Sequence, residues 1–171
     1  MIEICSKDRI NQIISNSYSR NLVIVSIHDV DDDPAFDVKD SKTLLKLKDS
    51  CIVAFDDVEC DNEYPNAKAM DMKDADKIIS FATDHLDEII TNSKTFYVQC
   101  TGGVSRSPAV AAALSVIMDL DDWWVFNNGK FSPNRYVYET LLNTAGVKQN
   151  KTIIDYKFNK NFQLWSNLID W

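Results

Sequence analysis

The stretch that most constrains the fold lies between residues 95 and 118, where a strand-like run leads through a short loop directly into a helical run. The run TFYVQ (95–99) is rich in β-branched and aromatic residues, whereas AVAAALSVIM (109–118) is rich in helix formers. Between them stands CTGGVSRSP, which holds one of the four cysteines and two of the four glycines of the chain. A loop that leaves a strand and enters a helix is where α/β proteins bind ligands.

The rest of the chain alternates in the same way between short apolar runs and amphipathic runs. Two further strands are predicted at NLVIVSI (21–27) and CIVAF (51–55). Helices are predicted over 7–15, about 71–90, the segment from Ser132 as N-cap and Pro133 to Gly146, and 147–171. The pattern predicts an α/β fold with a central, mostly parallel sheet flanked by helices.

Length and composition favour one domain. A chain of 171 residues with 45% hydrophobic residues can bury one core, and we find no linker-like segment and no repeat. We therefore expect a single domain over 1–171, with 147–171 as a C-terminal helical extension. The polar start MIEICSKDRINQ has no signal-peptide core, and the longest apolar run is too short for a bilayer. We expect a cytoplasmic protein without a membrane partner.

The charge of the chain excludes several partners. The formal net charge is −8, from 26 acidic and 18 basic residues, and a field of this sign repels nucleic acid. An anionic substrate must therefore be held by a local positive site. The acidic runs fit no calcium loop, and the cysteines show no CxxC spacing. We expect no metal and no organic cofactor, and the oligomeric state stays open.

The loop CTGGVSRS has the residue types needed to bind and attack an oxyanion. Gly102 and Gly103 allow a sharp turn that points successive amides inward, and the following helix adds its positive dipole end. The sulfur of Cys100 would face these amides as a thiolate, and the Arg106 guanidinium could bind two phosphate oxygens. A hydroxyl at Ser107 could donate to the sulfur. The amides expected to bind the phosphoryl oxygens are those of Thr101, Gly102, Gly103, Val104, Ser105 and Arg106.

The segment from Cys100 to Ser107 resembles the C-x5-R-S/T phosphate loop of the protein tyrosine phosphatase superfamily. It is most similar to compact bacterial members of the dual-specificity type. The order of strands and helices also matches over most of 1–146, while 147–171 matches nothing in that family. The resemblance implies a phosphotyrosine protein phosphatase-like fold. It also implies a cysteine-dependent phosphatase that acts on a phosphorylated protein or a small phosphomonoester.

In that family the cysteine forms a phosphocysteine, and an aspartate on another loop serves as general acid and then as general base. The resemblance assigns the nucleophile to Cys100. By position after the second predicted strand, it assigns the acid to Asp57 first, to Asp56 next and to Asp61 third. It also implies that Asn134 lies near the phosphate loop and braces it.

One position departs from the family. The residue before the cysteine is usually histidine, but here it is Gln99, which can hydrogen-bond but carries no positive charge. The alternative function is therefore a catalytically weak or inactive module that binds phosphorylated partners. A sulfurtransferase and a thiol-dependent arsenate reductase are less favoured, because their cysteine loops differ in length or in position along the chain.

Overall fold

The computed structural model describes residues 1–16, 21–37, 39–60, 64–91, 93–148 and 150–169. Within these ranges the sheet has four strands, β1 (Ile2–Ser6), β2 (Leu22–His28), β3 (Leu47–Ala54) and β4 (Phe96–Cys100). Their order across the sheet is β1-β4-β2-β3, and every neighbouring pair is parallel. The prediction of a central parallel sheet flanked by helices is confirmed.

The burial of the strands explains which of them the sequence revealed. Strand β2 lies inside the sheet and is buried along nearly its whole length, as strands covered on both faces usually are. Strand β1 lies at an edge, and only Cys5 of its five residues is buried. It was not predicted, because an edge strand with polar residues lacks the continuous apolar run of an interior strand. Its Ser6 is paired with Cys100 of β4, so β1 ends beside the loop.

The helices cover both faces of the sheet. They are α1 (Lys7–Asn16), α2 (Ser41–Leu44), α3 (Met72–Asp84), α4 (Leu86–Ile90), α5 (Arg106–Ile117), α6 (Trp123–Phe126), α7 (Arg135–Thr144) and α8 (Lys151–Ile169). The single helix predicted over 71–90 is broken at His85, whose ring nitrogens lie 3.1 Å from Glu88 and 3.3 Å from Asp49. No helix in the described ranges is both long enough and apolar enough to cross a bilayer.

Two helices decide the geometry of the candidate site. Helix α5 follows the loop and is buried from Arg106 through Ser115, as an alanine-rich helix that is apolar on all sides should be. Helix α7 packs against it and begins two residues later than expected, because its N-cap is Asn134 rather than Ser132. The Asn134 side chain accepts a hydrogen bond from the Val137 amide at 3.0 Å.

Candidate active site

The loop from Cys100 to Arg106 connects the carboxyl end of β4 to the N-terminus of α5. Its tightest point is Gly103, which has φ of +71°, a region that residues with a Cβ rarely adopt. A Cβ at Gly103 would also lie 2.8 Å from the Ser6 amide nitrogen and 2.9 Å from the Cys5 carbonyl carbon. A Cβ at Gly102 would meet only the Val104 side chain, at 4.0 Å, and Gly102 has no positive φ. Of the two glycines expected to shape the loop, only Gly103 is required by its geometry.

The Cys100 thiol lies inside this loop and is 2% exposed. The Gly103 amide donates a hydrogen bond to Sγ at 3.3 Å, and the Ser107 hydroxyl lies 3.1 Å from the same sulfur. Both groups can stabilise negative charge on sulfur. The structure therefore brings together the thiol, the glycine turn and the hydroxyl that the sequence suggested.

The Arg106 side chain is also buried, with 4% of it exposed. Its Nη1 donates to the Phe55 carbonyl at 2.7 Å and lies 2.9 Å from Asp29 Oδ1. Its Nη2 donates to Asp29 Oδ2 and to Thr101 Oγ1, each at 3.2 Å. Its Nε is the one buried side-chain nitrogen or oxygen that lacks a hydrogen-bond partner among the described residues. A buried donor without a partner is costly, so this nitrogen could donate to an acceptor on a ligand.

Asp29 is the residue of this site that the sequence did not reveal. It follows the last residue of β2, and its Oδ2 also accepts a hydrogen bond from Thr101 Oγ1 at 3.1 Å. The sequence places it in an acidic loop, HDVDDDPAFDVKD, where nothing distinguishes it from its neighbours. Its position at the carboxyl end of an interior parallel strand is the signal that could have singled it out.

Asp57 and Asn134 meet at the other side of the loop. Asp57 Oδ1 accepts hydrogen bonds from Ser105 Oγ at 2.8 Å and from Asn134 Nδ2 at 2.9 Å. Asn134 also donates to the Val58 carbonyl at 3.0 Å, and its own amide donates to the Ser105 carbonyl at 3.2 Å. Asn134 thus connects α7, the loop after β3 and the loop from Cys100 to Arg106.

Asp56 has a different environment from Asp57. Its Oδ1 accepts from the Val30 amide at 3.1 Å and its Oδ2 from the Lys68 amide at 2.7 Å. Both oxygens therefore bind neighbouring backbone segments, and among the described residues neither forms a hydrogen bond with the loop that holds Cys100. Asp61, the third candidate for the acid, lies outside the described residues.

Gln99 is 1% exposed and accepts a hydrogen bond from Ser26 Oγ at 2.6 Å. The two residues are also paired across β2 and β4. The position before the cysteine is therefore filled by a neutral group bonded to a neutral hydroxyl. In the described part of the chain, no cluster of three or more His, Cys, Asp or Glu side chains could hold a metal ion.

Comparisons with known proteins give similarity in structure only. No family model matches the sequence, and no curated protein matches it. PTPMT1 in complex with PI(5)P is 10% identical, with 98% of this chain and 94% of that chain covered and a TM-score of 0.46. PTPMT1 alone is 10% identical, with 100% and 96% covered and a TM-score of 0.45.

The structure of Tk-PTP in the active form is also 10% identical, with 95% of this chain and 90% of that chain covered and a TM-score of 0.42. These are protein tyrosine phosphatase-type structures. The alignments cover nearly the whole chain, but at this identity and TM-score they say nothing about its activity, which has to be inferred from its own side chains.

Proposed function

We propose that this protein is a cysteine-dependent phosphomonoester phosphatase that forms a phosphocysteine at Cys100. The observation that carries the proposal is the buried, unpartnered Nε of Arg106 in the same loop as a buried thiol that accepts an amide hydrogen bond. A tetrahedral phosphoryl group would supply the acceptor that Nε lacks. It would also use the loop amides of residues 101–106, which lead into the N-terminus of α5.

In the first step the Cys100 thiolate attacks phosphorus, and the bond from phosphorus to the ester oxygen breaks. Asp57 donates its proton to the departing oxygen. The two hydrogen bonds given to Asp57 both reach Oδ1, so in the described part of the chain Oδ2 is the oxygen left for that proton. These contacts favour Asp57 over Asp56, whose two oxygens are both used by backbone amides.

In the second step a water molecule attacks phosphorus and gives its proton to the Asp57 carboxylate. The bond between phosphorus and sulfur breaks, and inorganic phosphate leaves. Ser107 lies 3.1 Å from Sγ and assists the departure of the thiolate by donating its hydroxyl hydrogen. Arg106 and the loop amides stabilise the charge on the phosphoryl oxygens throughout, which requires no metal or organic cofactor.

A second candidate function is a phosphate-binding module without turnover. Gln99 favours it, because a neutral amide bonded to Ser26 stands where the resembling enzymes have a histidine. Such a module would bind phosphorylated partners through the same loop. The two functions predict the same oxyanion affinity and differ only in hydrolysis.

The first test is hydrolysis of p-nitrophenyl phosphate in EDTA by the native chain, Cys100→Ser and Cys60→Ser. Cys60 is exposed and serves as the matched control. We expect turnover that is lost in Cys100→Ser and kept in Cys60→Ser. Absence of turnover in the native chain, together with binding of inorganic phosphate, would favour the binding module.

The role of Asp57 is tested by the leaving group. In Asp57→Asn we expect kcat to fall by about 100-fold to 10,000-fold for an alkyl phosphate, because a poor leaving group needs the proton. The loss should be smaller for p-nitrophenyl phosphate, whose leaving group is more acidic. Equal losses on both substrates would show that Asp57 is not the acid.

A further inference from the structure

We infer that Asp29 is a positioning residue that fixes the Arg106 guanidinium for the transition state, an inference that rests on the proposed function. The Asp29 carboxylate contacts the outer edge of the guanidinium, which is formed by Nη1 and Nη2. Its Oδ1 lies 2.9 Å from Nη1, and its Oδ2 lies 3.2 Å from Nη2. Such a paired, charge-assisted contact fixes the plane of the arginine as well as its position.

The remaining contacts complete this orientation. The Phe55 carbonyl accepts from Nη1, and Thr101 Oγ1 lies between Nη2 and Asp29, bonded to both. The outer edge of the guanidinium is therefore occupied by protein groups. The side edge, formed by Nε and Nη2, contains the donor that has no partner and is the edge offered to a phosphoryl group.

The backbone on either side of Asp29 is held by contacts that do not involve Arg106. The Val30 amide beside it donates to Asp56, and the preceding His28 uses Nδ1 to contact the Asp29 and Asp32 carbonyls at 2.9 Å. A carboxylate on a loop fastened in this way can impose an orientation on the arginine instead of following it.

The geometry and the charge of Asp29 have opposite effects on anion binding. Its negative charge weakens the attraction of the site for any phosphate, whereas the fixed guanidinium favours the transition state, in which charge spreads over the equatorial oxygens. A ground-state anion can be bound by a mobile arginine. The transition state depends more strongly on the fixed side edge, and the two effects can therefore be separated by experiment.

The test compares the binding of vanadate, which mimics the transition state on the cysteine, with that of inorganic phosphate. Dissociation constants are measured by calorimetry without chelator for the native chain, Asp29→Asn and Asp32→Asn. Asp32→Asn is the matched control, because it removes the same charge from the same loop but contacts Lys7 rather than Arg106. Hydrolysis of p-nitrophenyl phosphate is measured in parallel.

In Asp29→Asn we expect phosphate to bind as tightly as in the native chain or more tightly. Vanadate affinity should fall by about 10-fold to 100-fold relative to phosphate, the range for one charge-assisted hydrogen bond. The kcat of Asp29→Asn should fall together with its vanadate affinity. Asp32→Asn should keep the native ratio of vanadate affinity to phosphate affinity.

Three outcomes would overturn the inference. The first is a native ratio of vanadate to phosphate affinity in Asp29→Asn, and the second is an equal loss of affinity for both ligands in that variant. The third is an absence of oxyanion binding by the native chain. The proposed function fails on a different measurement, since it requires native turnover that Cys100→Ser abolishes. A chain that binds vanadate and phosphate without turnover would still decide the role of Asp29.

Discussion

At the scale of single residues, the four cysteines of this chain differ in burial and in the groups around their thiols. Burial raises the pKa of the Cys5 thiol to about 12 and that of Cys51 to about 11. Cys60 is exposed to solvent, and Cys100 is buried but receives a hydrogen bond from the Gly103 amide. The thiolate is the reactive form of cysteine. Reactivity toward alkylating agents should therefore distinguish the four positions.

We predict that iodoacetamide at neutral pH modifies Cys60 and Cys100 in the folded protein and leaves Cys5 and Cys51 unmodified. Inorganic phosphate should slow the modification of Cys100 alone, because it would occupy the loop in front of Sγ. Peptide mass spectrometry measures each site, and Cys60 serves as the internal control. Protection of Cys60 by phosphate, or modification of Cys5 as fast as Cys100, would contradict the prediction.

Local spacing along the chain points only to those residues of the candidate site that lie in one loop. Cys100, Arg106 and Ser107 lie within one loop, so their spacing along the chain carries the information. Asp29 contacts Arg106 across 77 positions of sequence, and no local pattern marks it. The resemblance ranked Asp57 above Asp56 by position after a strand alone, because no local pattern shows that other segments bond the two carboxylates differently.

At the scale of elements, the C-terminal helix α8 is attached to the body by a buried ion pair. Lys157 Nζ lies 2.8 Å from both oxygens of Asp122, which also accepts a hydrogen bond from Tyr138 at 2.9 Å. The ammonium lies 5.4 Å from the centre of the Trp123 ring. Phe158, on the same helix, packs edge-on against Phe126 with 5.0 Å between ring centres. Helix α8 is therefore part of the core.

We predict that Lys157→Met lowers the free energy of unfolding by about 3 to 5 kcal/mol, because it leaves the Asp122 carboxylate buried without its cation. The control is Lys160→Met, whose ammonium lies 5.3 Å from the same Trp123 ring, and which should cost below about 1 kcal/mol. Urea unfolding followed by circular dichroism measures both variants. Equal losses would show that the ion pair does not hold α8.

The double variant Lys157→Met with Asp122→Leu tests the same pair from the other side. It removes both charges, so it should lose less stability than the sum of the two single variants. A loss equal to that sum would contradict a direct interaction between the two groups.

The sequence predicted elements well where burial is uniform and poorly where contacts between elements decide the boundary. Strand β2 and helix α5 are mostly apolar and buried over nearly their whole length, and both were found. Strand β1 was missed, because pairing with β4 rather than its own composition makes it a strand. The break at His85 was missed because it depends on contacts with Asp49, on another element.

At the scale of the whole molecule, all four strands end at the candidate site. The Cys5–Ser6 backbone at the end of β1 contacts Gly103, Asp29 follows β2, Phe55 and Asp57 follow β3, and β4 supplies Cys100. A parallel sheet brings these strand ends to one edge. The edge also gathers negative charge, since Asp29 and Asp57 both adjoin the loop in a chain of formal net charge −8.

Under the proposed function, this charge predicts how kcat/KM changes with salt concentration. Repulsion between an anionic substrate and an acidic protein weakens as the Debye length falls from about 20 Å to about 7 Å between roughly 20 and 200 mM salt. For a phosphopeptide flanked by glutamates, kcat/KM should therefore rise with salt. For the same phosphopeptide flanked by lysines, kcat/KM should be higher at low salt and should fall as the salt concentration rises. The two peptides differ only in flanking charge and control each other. Parallel salt responses would show that the phosphate loop alone selects the substrate and that the acidic surroundings, including Asp29, do not contribute to the choice.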